Sequence, residues 1–210
     1  MDEADLISEI ENLKKDKISS LVERRIKEFE NAYNADERTW FEELCFCLLT
    51  ANTSAKMGLD TICGIKGVLH QCDIDELSNA LKDCKYRFYN RRAQFIIGAR
   101  GHATNLKREI ENRGEREARE WLVGNVKGIG FKEASHFLRN VGYKNSAILD
   151  RHILKLLFEY GLIDEAPENL SEKKYYEIEK ILEKLAKKTQ LSLAKLDLYL
   201  WYMKTGEVLK

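Results

Sequence analysis

The chain has 210 residues, 44% of them hydrophobic, and its 35 basic and 35 acidic side chains give a formal net charge of zero. That length supports one sizeable core or two small subdomains sharing an interface, and global charge points to no partner. No apolar run reaches membrane-spanning length, and the start Met1-Asp2-Glu3-Ala4-Asp5 lacks the basic region of a signal peptide, so a cytoplasmic protein is expected.

Apolar residues recur at helical spacing along nearly the whole chain, with no period-two run. The spacing predicts helices over 3–15, 17–32, 36–51, 54–69, 74–82, 86–112, 115–124, 131–141, 150–160, 171–188 and 191–205. Asp73, Asp150 and Ser171 stand where N-caps belong, and Gly114, Gly142, Gly161 and Gly206 where C′ glycines belong. There is one proline, Pro167, no low-complexity linker and no internal repeat. The expected fold is all-α: a single folding unit with a central lobe over 36–133 and a second lobe from 1–35 with 134–210. Five cysteines (Cys45, Cys47, Cys63, Cys72, Cys84) lack paired metal-ligand spacing and read as free thiols; Cys45 and Cys47 read as small buried hydrophobes.

Charge is unevenly distributed. Lys85–Arg151 holds 15 Lys and Arg against 7 Asp and Glu, as in a protein with one face toward a polyanion or in one with ordinary solvated helix faces. Within it lies Val126-Lys127-Gly128-Ile129-Gly130-Phe131-Lys132. Trp121, Leu122 and Val123 close the helix before it; Ala134, Phe137, Leu138 and Val141 form an apolar stripe on the helix after it. The two glycines permit positive φ and close approach, and Ile129 can plug the turn into the core. Amides at the next helix N-terminus would then face outward, where the dipole favours an anion such as a DNA phosphate. A plain corner between two helices has the same local pattern.

This stretch, followed by Ala147-Ile148-Leu149-Asp150-Arg151-His152, resembles the helix-hairpin-helix DNA glycosylase superfamily. Its nearest likeness is to the type 2 8-oxoguanine DNA glycosylase/AP lyase branch. The similarity extends to Phe46-Cys47-Leu48-Leu49-Thr50-Ala51-Asn52, Tyr86-Arg87-Phe88-Tyr89 and the closing Leu198-Tyr199-Leu200-Trp201-Tyr202 with Lys210. It implies a helix-hairpin-helix over 115–141 and two helical lobes with an active-site cleft between them. It implies a monomer acting on double-stranded DNA that contains 8-oxoguanine, without a cofactor or metal. Two positions depart from the superfamily pattern. Lys127 stands where proline usually precedes the first glycine, and no cysteine follows Cys84, which excludes a C-terminal four-cysteine iron–sulfur cluster.

By the same resemblance Lys132 is the amine nucleophile. A free lysine titrates at about 10.4, and a helix N-terminus with partial burial is expected to disfavour its cation. Asp150 stabilises positive charge on the sugar, caps the following helix, or does both. Lys127, Gly128, Gly130 and His152 contact DNA phosphates. A base inside a duplex must be flipped out to be reached. Asn52 either fills the vacated space or ends its helix. Phe88 and Trp201 sandwich the flipped base or pack in the core, and Lys210 helps recognise it; Phe95 and Trp40 read as core. Two alternatives stand beside this reading: a glycosylase for another lesion, and a non-catalytic helix-hairpin-helix DNA-binding module.

Overall fold

A computed structural model describes all 210 residues, and it contains twelve α-helices, one short 3-10 turn and no strand. The chain divides into two compact units, 1–31 with 142–210, and 32–141. The divide falls after the last turn of the hairpin's second helix, whereas sequence alone placed it after Glu133. No helix is long and apolar enough to cross a membrane.

The 32–141 unit is organised around α3 (Glu37–Thr50). From Trp40 to Thr50 every residue of α3 except Glu42 is buried, so this helix is covered on all sides. It packs against α4 (Ala55–Ile65), α6 (Tyr89–Ala99), α7 (Leu106–Glu111) and α9 (Phe131–Asn140). Trp40 meets Phe137 of α9 edge-on at 5.9 Å between ring centres and donates its indole N–H to the Ala32 carbonyl at 3.0 Å. The unit also holds α5 (Ile74–Asp83), packed on α4 and α6, and α8 (Glu115–Asn125), packed on α7 and α9. Cys45 and Cys47 lie inside α3, and burial pushes the Cys45 thiol well above its ordinary range, so it behaves as an inert hydrophobe.

In the other unit, α2 (Ile18–Tyr33) and α12 (Leu193–Thr205) share a core of Ile18, Val22, Ile26, Phe29, Ala194, Leu198 and Tyr199. The chain's last segment joins this core through Val208, which is 5% exposed. This anchors the backbone two residues before Lys210. Helices α1 (Glu3–Leu13) and α11 (Glu172–Thr189) pack together and on α12, as does α10 (Arg151–Glu159).

Most helices follow the sequence reading within a few residues, but 86–112 does not. It consists of α6, a 3-10 turn at Arg100–His102, and α7. Gly98 and Gly101 weaken the helix locally. Arg100 then turns its guanidinium to the carbonyls of Leu69, at 2.7 and 3.0 Å, and of Cys72. Gly114 also differs: it is the extended N-cap residue of α8, with φ −62°, and not a C′ glycine. Gly142, Gly161 and Gly206 do take positive φ.

Candidate nucleic-acid interface and nucleophile

The turn between α8 and α9 is built as a hairpin. Val126 and Ile129 are 1% and 6% exposed, so both apolar residues point inward while Lys127 stays in solvent. Gly128 has φ +96°, a conformation that L side chains rarely adopt. A second constraint acts on the same residue. The Phe95 ring of α6 lies against its backbone, and a Cβ placed there would stand 2.3 Å from Phe95 Cδ2. Phe95, read as core from sequence, is thus the floor on which the hairpin rests. Gly130 is extended (φ −104°, ψ −177°) and opens α9.

Lys132 occupies the first turn of α9, half-buried at 27% side-chain exposure. Its ammonium pairs with Glu133 Oε1 at 2.9 Å, and Glu133 Oε2 accepts the Gly130 N–H at 3.3 Å. One carboxylate therefore bridges the hairpin backbone and the lysine. Sequence reasoning did not find Glu133. Beyond it, α9 is buried on its polar side as well as on its apolar stripe. Arg119 of α8 donates to Ser135 Oγ at 3.2 Å, and Asn140 donates to Glu43 Oε2 of α3 at 3.3 Å. The helix that carries Lys132 is fixed along its length by both kinds of contact.

Two further positions singled out from the sequence, Asn52 and Phe88, lie in this unit. Asn52 follows α3 in a left-handed conformation (φ 62°); it is exposed, and its carbonyl accepts from Arg87 Nη2 at 3.4 Å. Phe88 is half-buried, with the Arg87 guanidinium 4.3 Å from its ring centre. The Arg87 side chain thus touches both positions.

In the other unit, Asp150 is the N-cap of α10, and its Oδ1 accepts from the amides of His152 at 2.8 Å and Ile153 at 2.9 Å. Both bonds fall on one oxygen, so the cap fixes the carboxylate while Oδ2 takes no part in it. His152 meets the Trp201 ring edge-on at 5.0 Å, and the Trp201 indole nitrogen is buried without a hydrogen-bond partner. Lys210 is half-buried. No three His, Cys, Asp or Glu side chains gather into a group that could hold a metal ion.

Asp150→Asn separates the two roles available to that residue. Asparagine caps as well as aspartate does, so stability should change by no more than about 1 kcal/mol. Loss of the charge should slow base release by about 10²-fold or more if the carboxylate stabilises the sugar cation. Thermal melting and single-turnover kinetics on one sample would check both.

An all-helical chain in which a Gly-Ile-Gly hairpin delivers a half-buried lysine at the head of the next helix is a helix-hairpin-helix protein of the DNA glycosylase class. The family described as 8-oxoguanine DNA glycosylase matches it over residues 22–191. The 8-oxoguanine DNA glycosylase/AP lyase of Methanocaldococcus jannaschii is 48% identical over 206 residues, which are 98% of this chain and 99% of that protein. The protein of the same name from Korarchaeum cryptofilum is 46% identical over 98% of both chains. The M. jannaschii structure in complex with a 15mer DNA containing 8-oxoguanine aligns with a TM-score of 0.95, covering 98% of this chain and 99% of that one. The chain belongs to the 8-oxoguanine DNA glycosylase family.

Proposed function

We infer that this protein is a bifunctional 8-oxoguanine DNA glycosylase and AP lyase. It removes 8-oxoguanine from double-stranded DNA and cleaves the strand 3′ to the resulting abasic site, as a cytoplasmic monomer working on the chromosome. The observation that carries the reading is the hairpin that holds Lys132 half-buried in the first turn of α9, in a chain of this family.

We assign Lys132 as nucleophile. The amine lone pair forms the bond to C1′, and the base leaves with the electron pair of its glycosidic bond and takes up the amine's proton. Ring opening gives an iminium, which acidifies C2′. Loss of the C2′ proton leads to β-elimination of the 3′ phosphate, and water then hydrolyses the imine and restores the lysine. Asp150 stabilises the positive charge that develops on the sugar as the base departs. Lys127, with the backbone at Gly128, holds a phosphate without reading sequence, Gly130 shapes the turn while its own N–H goes to Glu133, and His152 holds another phosphate. Phe88 and Trp201 stack on the flipped base, Lys210 contributes to its recognition, and Asn52 occupies the space it leaves. Support for Trp201 comes from its buried indole N–H, a donor with no protein acceptor.

A panel of duplexes tests the substrate. Each carries one lesion (8-oxoguanine, an oxidised pyrimidine or a mismatch), with undamaged DNA alongside. Cleavage confined to the 8-oxoguanine duplex is expected; preferential cleavage of another lesion would replace this substrate with that one.

A further inference from the structure

Glu133 forms the ion pair with the Lys132 amine, and it is held in place by the backbone. Its Oε1 is 2.9 Å from Lys132 Nζ, its Oε2 accepts the Gly130 N–H at 3.3 Å, and its side chain is only 14% exposed. Neighbours in sequence do not ordinarily face each other on a helix. These two meet because Glu133 folds back over the first turn to cap it. Arg119 of α8 reaches the same first turn, with its guanidinium 6.0 Å from the Phe131 ring centre and bonded to Ser135, whereas Glu43 of α3 bonds Asn140 near the far end.

We propose that Glu133 is the anionic partner of the Lys132 nitrogen through the Schiff-base stage, tied to the hairpin so that it stays beside that nitrogen after C1′ is bonded. The inference rests on Lys132 being the nucleophile. When the C1′–O4′ bond breaks, O4′ takes up a proton and the nitrogen becomes a cationic iminium, C1′=N⁺. The proton that C2′ then releases balances the one O4′ took. The nitrogen keeps one hydrogen, which it can lose to give a neutral imine, and only the charged form acidifies C2′; a fixed, poorly hydrated carboxylate beside it holds the nitrogen in the iminium form. Departure of the base precedes the iminium and gains less from that carboxylate. Glu133 therefore serves strand cleavage more than base release.

The α8 helix supplies a control. Glu117 Oε2 accepts the Gly114 N–H at 3.3 Å, so the same backbone cap exists there. Glutamine can keep either cap through its amide oxygen but carries no charge. Wild-type protein, Glu133→Gln and Glu117→Gln would be compared at enzyme excess on two duplexes, one with 8-oxoguanine opposite cytosine and one with a preformed abasic site. Base release is read after alkali and strand cleavage without it.

Glu133→Gln should melt within about 2 °C of wild type. It should cleave the abasic duplex about tenfold more slowly and release 8-oxoguanine within about threefold of the wild-type rate, so that uncleaved abasic strands accumulate. Glu117→Gln should match wild type in both steps. A parallel fall in both steps of Glu133→Gln would overturn the proposal in favour of a structural cap, and unchanged rates would overturn it outright. Borohydride trapping of the wild-type protein separates the two layers. A trapped adduct with unchanged Glu133→Gln rates removes only the role of Glu133, whereas no wild-type adduct removes the nucleophile and this inference with it.

Discussion

Lys132→Gln should fold, bind 8-oxoguanine duplex DNA, and fail to cut it. The substitution replaces one partly buried ion pair, with Glu133, by a pair that the glutamine amide can still hydrogen-bond. The net loss should be about 1–2 kcal/mol, so melting should fall by no more than several degrees. Glutamine's amide nitrogen has no basic lone pair and forms no imine, so the covalent route closes. Base release and strand cleavage should fall by at least about 10³-fold, which corresponds to more than about 4 kcal/mol of barrier. Duplex affinity should stay within about threefold, because backbone phosphate contacts survive. Single-turnover kinetics with a filter-binding titration would check both. A variant with wild-type cleavage would remove Lys132 from the mechanism and favour a non-catalytic role for the hairpin.

Gly128→Ala should be the most damaging single methyl in the hairpin. Its φ of +96° lies where a Cβ is strained, and that Cβ would stand 2.3 Å from Phe95 Cδ2. Backbone strain and overpacking each cost about 1–3 kcal/mol, so the expected loss is about 3–5 kcal/mol, or roughly 10 °C in Tm. The Phe95 ring cannot retreat freely, because it is 6% exposed and the Arg91 and Arg92 guanidinium groups lie about it. Gly124→Ala is the matched control, since no atom lies within 4 Å of a Cβ there. A thermal melt comparing the two separates the strain at Gly128 from any general effect of adding a methyl. Equal melting temperatures would mean that the Phe95–Gly128 contact does not hold the hairpin.

What the sequence disclosed and what it concealed divide along local and long-range causes. The hairpin was legible because Gly128, Ile129 and Gly130 interrupt apolar periodicity that resumes at once in Ala134 and Phe137. The caps at Asp73, Asp150 and Ser171 were legible because a cap is made within three residues, and each does accept the expected amide. The break of 86–112 was not legible. Apolar spacing runs on from Ile96 to Leu106, and what interrupts it is Arg100 bonding carbonyls some 30 positions away in sequence. Phe95 could be read as core but not as the floor under Gly128, since their meeting is tertiary. Glu133 was hidden for another reason. At an i,i+1 spacing from Lys132 it reads as a solvated helix charge, and only the fold-back to Gly130 turns it to the amine.

The measurement closest to the central claim is borohydride trapping on a duplex with one 8-oxoguanine opposite cytosine, run beside the undamaged duplex and beside Lys132→Gln. The account predicts a covalent protein–DNA adduct from the lesion duplex only, present for wild type and absent for Lys132→Gln. Folded wild-type protein that gives no adduct on the lesion duplex, or a Lys132→Gln variant that still gives one, would contradict it.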